Sequence, residues 1–92
     1  MDEYQVVRLG RFTDMLNHLQ AKYTGVEEAV LTAEAFLRMR APDCGFSTNR
    51  NLRYYPTRTI PKVRPRLIIF FDIDEEHKTA NLVSIVECQE EE

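Results

Sequence analysis

Eight basic side chains fall between residues 38 and 66 (Arg38, Arg40, Arg50, Arg53, Arg58, Lys62, Arg64 and Arg66), opposed there by Asp43 alone. Guanidinium and ammonium groups gathered in this way suit the neutralisation of phosphate or carboxylate charge on a polyanion. Tyr54 and Tyr55 stand among them, and an aromatic ring beside an arginine can stack a nucleobase while the cation holds the backbone. A plainer role competes with this one. The arginines can be a solvated face paired with acids elsewhere in the chain, and the tyrosines can be packing. The acids exist: residues 1–37 hold six against three basic residues, and residues 67–92 hold eight against Lys78. The net charge of -3 therefore conceals a basic middle between two acidic ends.

Other chemistries find little to work with. Cys44 and Cys88 are far apart and match no metal-ligand spacing, so they read as reduced thiols. His18 and His77 read as surface residues, and Asp72 and Asp74 share a strand face without further ligands. No glycine-rich phosphate loop, nucleophile elbow or ligand cluster occurs, so neither a cofactor nor a metal is expected. The longest apolar run, residues 67–71, is too short to cross a bilayer, and Asp2 and Glu3 stand where a signal peptide needs positive charge. The expectation is a cytoplasmic protein without a membrane partner.

The elements that must position these residues follow from periodicity. Ninety-two residues form one domain, 1–92, in which residues 88–92 are expected to be a mobile acidic tail. Residues 4–9 are β-prone and end at Gly10. Phe12, Met15, Leu16, Leu19 and Tyr23 recur at helical spacing, with Thr13 or Asp14 available as a cap. Thr24-Gly25-Val26-Glu27 has the capping-box form, so a second helix starts near Val26, and its stripe of Val26, Ala29, Val30, Ala33, Phe36 and Leu37 runs until Pro42 forbids continuation. A connection of a few residues makes the two helices an antiparallel hairpin.

Beyond Pro42 the pattern turns to strands. Residues 52–55 form a short one closed by Pro56, and Pro61 and Pro65 mark an exposed basic connection. Residues 66–73 give the central strand, residues 74–78 a charged turn, and Leu82, Val83, Ile85 and Val86 its antiparallel partner. The fold class is thus α+β: an N-terminal strand, an α-helical hairpin, then a mainly antiparallel sheet of three to four strands.

This order, together with Arg64-Pro65-Arg66-Leu67-Ile68-Ile69-Phe70-Phe71-Asp72-Ile73-Asp74 and then Leu82-Val83-Ser84-Ile85-Val86, resembles the RelE/ParE superfamily of toxin–antitoxin toxins. The resemblance covers nearly the whole chain and rests on an arginine that opens an apolar central strand, an acidic turn and a closing strand. It implies a type II toxin of the kind associated with plasmid stabilisation, held inactive by a protein antitoxin. The target it implies is either messenger RNA on the ribosome, which RelE-like members cut, or DNA gyrase, which ParE-like members inhibit. By position, Arg66 matches the family's phosphate-stabilising arginine, with Arg50, Arg53, Tyr54, Arg58, Lys62 and Arg64 as further binding residues.

Metal-free RNA cleavage needs an activated 2′-hydroxyl, stabilised phosphate charge and a proton for the leaving oxygen. Arginine supplies the second of these. For the other two the chain departs from the RelE-like pattern, because Glu87, Cys88, Gln89 and Glu90 stand where basic residues and a tyrosine or histidine follow the last strand. The carboxylates there would repel a phosphate, and whether the chain is an endoribonuclease stays open. A non-catalytic module that binds an acidic protein or nucleic acid is the alternative, and a homodimer joining basic middle to acidic end is a third.

Overall fold

The computed structural model describes residues 3–46, 52–57 and 66–88, without the Cys88 side chain. In chain order the elements are β1 (Gln5–Arg8), α1 (Gly10–Lys22), α2 (Val26–Arg40), a 3-10 turn (Ala41–Asp43), β2 (Arg53–Pro56), β3 (Arg66–Asp74) and β4 (Thr79–Cys88). The four strands form one sheet in the order β1-β4-β3-β2. β2, β3 and β4 are antiparallel neighbours, while β1 lies parallel to β4, so the sheet is mixed. The parallel pair follows from the intervening helical hairpin, which allows β1 to reach a strand formed much later in the chain.

The apolar stripes of both helices meet one face of this sheet. Phe12, Leu16 and Leu19 of α1 and Val26, Val30, Ala33 and Leu37 of α2 share a core with Leu67, Ile69 and Phe71 of β3 and with Ala80, Leu82 and Ile85 of β4. Tyr55 joins from β2 by stacking on Phe36, with ring centroids 4.9 Å apart. Phe12 and Phe71 are fully buried, and each such side chain stabilises the fold by roughly 1.5–3 kcal/mol.

Three local details differ from the sequence reading. α1 starts at Gly10, with Leu9 as its N-cap and no side-chain cap, because the Leu9 carbonyl already receives the Thr13 amide at 3.0 Å. The capping box before α2 is not formed. Gly25, at φ 80°, is the N-cap, and Glu27 is instead held by Arg8 at 3.1 Å and Gln20 at 2.7 Å. Pro56 lies within β2 rather than ending it, since Tyr54 turns its amide outward to Gly45 and the position two residues on likewise needs no donor toward β3.

β4 runs through Cys88, one residue into the segment read as a tail, and residues 89–92 lie outside the described residues. Among the described residues no helix is long and apolar enough to cross a membrane.

Candidate nucleic-acid interface

Alternation along β3 sends successive side chains to opposite faces. Leu67, Ile69 and Phe71 are buried under the helices, so Arg66, Ile68 and Phe70 occupy the other face, on which neither helix packs. Register carries the neighbours with them. Tyr54 stands opposite Phe70 and Pro56 opposite Ile68 on β2, while Ser84 and Val86 stand opposite Phe70 and Ile68 on β4. Arg66 is exposed, Tyr54 is 39% exposed, and Ile68 and Phe70 are half-buried. The result is an apolar, partly aromatic surface with an arginine at one end.

Of the residues proposed from sequence, the structure thus places Arg66 and Tyr54 on one face, separated by about 13 Å along the strand direction. Arg53 is not with them. It shares the helix-side parity of Tyr55, and its guanidinium donates to the carbonyls of Pro42 (3.3 Å) and Cys44 (2.6 Å) while covering the Phe46 ring at 4.2 Å. This arginine ties the segment after α2 to the edge of β2. Arg50, Arg58, Lys62 and Arg64 lie outside the described residues.

The described residues on either side of the last three of these, Thr57 and Leu67, are bonded to each other. The Thr57 amide donates to the Leu67 carbonyl at 2.8 Å, and the buried Thr57 hydroxyl accepts the Leu67 amide at 3.3 Å. Arg66, one residue before that clasp, therefore stands at the end of the sheet where β2 stops and β3 starts.

Phe70 is not among the sequence candidates, although alternation with the buried Leu67, Ile69 and Phe71 marks it as facing the other way. Of the carboxylates after Val86 that are expected to repel a phosphate, Glu87 alone lies among the described residues, and it is turned to the face opposite Arg66. Glu87 pairs in register with Leu67 and lies on the helix side, where Lys22 (2.9 Å) and the Tyr23 hydroxyl (3.1 Å) donate to it. Lys22 holds the Glu87 carboxyl below the usual carboxylate range, and Glu87 in turn raises Lys22.

The remaining reactive groups stand elsewhere. His77 is in the β3–β4 turn, at the far end of a nine-residue strand from Arg66, about 26 Å away. His18 belongs to α1, on the helix side. Burial pushes the Cys44 thiol up, so it is held protonated rather than activated. Asp74, Glu76 and His77 bring ligand atoms within 4.8 Å of one another, but Asp74 already accepts the Glu76 and His77 amides and the His77 ring. These bonds close the turn and account for the cluster without an ion.

No family model, curated protein or solved structure matches the chain.

Proposed function

We propose that this chain is a toxin-like protein of the RelE/ParE type that engages single-stranded RNA on the helix-free face of its sheet. The observation that carries the reading is the position of Arg66: first residue of β3, exposed, on the face opposite the helices, and next to the Thr57–Leu67 hydrogen bonds. A guanidinium there can meet a phosphate, and Tyr54 and Phe70 on the same face offer rings to unpaired bases. The turn of Glu87 toward α1 removes a carboxylate from that surface. Phosphate stabilisation is the step these residues supply, and neither described histidine stands within reach to complete acid–base cleavage. An antitoxin that covers this face and a ribosome-bound message as target are parts of the same proposal.

Induction of the chain without neighbouring genes, followed by growth and by mapping of transcript ends, tests it. Growth arrest that Arg66→Ala relieves is the expected result, with new transcript ends if the message is cut. In vitro, a fluorescein-labelled single-stranded RNA should bind with strong salt dependence, and Arg66→Ala should lower the slope of log K against log salt by about 1. Growth arrest with loss of DNA supercoiling and no RNA binding would transfer the reading to gyrase. Normal growth without salt-dependent binding would overturn it.

A further inference from the structure

The helix-free face of the sheet has a direction along β3. Arg66 stands at its start and Asp72 near its end, on the same side by alternation, since Leu67, Ile69 and Phe71 between them are buried under the helices and Ile73 packs against the same core. Ile68 and Phe70 lie half-buried between the two charges, with Tyr54 and Pro56 beside them on β2 and Ser84 and Val86 on β4. The face is therefore cationic at one end, apolar in the middle and anionic at the other.

Asp72 stands out among the carboxylates. It is half-buried and accepts one hydrogen bond, from the Asn81 side-chain amide to Oδ1 at 3.0 Å, and among the described residues no cation reaches it. Glu27, Glu34, Asp74 and Glu87, the other described carboxylates that are buried or half-buried, each have an arginine, lysine or histidine within 4 Å. A carboxylate partly withdrawn from water gains from a guanidinium. Arg66 is the arginine on its face, yet six residues of extended strand hold the two about 20 Å apart within one chain.

A second copy closes that distance. A two-fold axis lying between two such faces, across the strands at Ile69, turns β3 antiparallel to β3 and sets position 66 of each copy over position 72 of the other, because both are three residues from Ile69. The same operation sets Ile68 against Phe70, so apolar meets apolar at the centre. Stacked sheets lie ~10 Å apart and cross at about 30°, which displaces positions 10 Å from the axis by roughly 5 Å, within the reach of an arginine side chain. The five donors of a guanidinium allow such a pair alongside any contact that Arg66 makes in its own chain. We propose that two copies of this chain stack by their helix-free faces in this register, with Arg66 of each copy paired to Asp72 of the other. The dimer rests on the face alone. One consequence rests on the RNA reading: the stacked copy withholds Arg66, Tyr54 and Phe70 until RNA displaces it.

Charge reversal tests the register. Sedimentation velocity of the full chain should show a dimer that dissociates on dilution. Arg66→Asp and Asp72→Arg should each weaken it ~100-fold, because each sets like charges together twice in one dimer. An equimolar mixture of the two variants should dimerise again, since every contact between them then joins opposite charges. Thermal unfolding of each variant establishes that it is folded. A monomer at all concentrations, a dimer indifferent to both reversals, or a mixture that stays monomeric overturns the proposal. Fluorescein-labelled single-stranded RNA added to the original chain separates the two readings. Dispersal of the dimer by RNA supports both, whereas a dimer that obeys the charge pattern and binds no RNA sustains this proposal and overturns the RNA reading.

Discussion

Arg53 donates a hydrogen bond of 2.6 Å to the carbonyl of Cys44, closing the segment that follows α2 onto the first residue of β2. The same guanidinium lies over the Phe46 ring, which is nevertheless 61% exposed. In sequence Arg53 and Arg66 belong to one basic run. In the fold they are separated: Arg53 donates to the protein's own backbone on the helix side of the sheet, and Arg66 is an exposed residue on the other face.

Arg53→Ala should therefore act first on stability. Losing the donor to two carbonyls and a ring contact costs about 1–2 kcal/mol, measured as a lower urea midpoint with an unchanged slope. Any RNA affinity should move less than for Arg66→Ala. Equal stability of the variant and the original chain would show that the tie contributes nothing.

Arg8 and Glu34 form the tightest charged pair of the helix–sheet interface, with Nε to Oε2 at 2.6 Å and a second bond at 3.2 Å. The Glu34 side chain is only 11% exposed, so its carboxylate depends on Arg8 for compensation, whereas Glu27, the other partner, is 45% exposed. Arg8→Ala should cost about 2–3 kcal/mol, because it leaves a nearly buried carboxylate unpaired. Glu27→Ala should cost less than 1 kcal/mol. Arg8→Ala with Glu34→Leu should recover part of the loss, since removing both charges removes the penalty. Denaturant unfolding of the three variants provides the comparison.

Glu87 links stability to pH. Its folded carboxyl titrates below the unfolded value because Lys22 and Tyr23 donate to it. The unfolded chain therefore binds a proton first as pH falls. The contribution is fully present above the ordinary glutamate range and is lost as pH drops through the lowered folded value. Glu87→Gln should flatten this part of the acid limb of melting temperature against pH, while near neutrality the variant should melt somewhat lower. An identical acid limb in both proteins would mean that the pair is not maintained in solution.

Phe71 is fully buried on β3 between β2 and β4, at the register shift in the β3–β4 ladder. Phe71→Ala should cost about 3–5 kcal/mol, against about 1 kcal/mol for Phe70→Ala, whose ring lies on the open face and lacks a covering layer. Phe70→Ala should instead show in RNA affinity, by about 1–3 kcal/mol if a base stacks there. Parallel unfolding and binding curves separate the two effects.

Local chemistry was enough to read the order of elements. The three-and-four spacing of Phe12, Leu16 and Leu19 and of Val26, Val30, Ala33 and Leu37 marks two helices that each need one covered face, and Pro42 ends the second. The run from Leu67 to Phe71 marks an inner strand of the sheet, and the charged residues 74–78 mark its turn. These features act within a few residues of themselves, so the sequence displays them directly. Partner choice across the chain is a different matter. That β1 lies parallel to β4, that Glu27 binds Arg8 instead of capping α2, that Glu87 faces Lys22, and that Arg53 and Arg66 point to opposite faces were decided by register between segments up to 74 residues apart. A shift of one residue in that register would have reversed every one of those faces, and only the packed sheet fixes it.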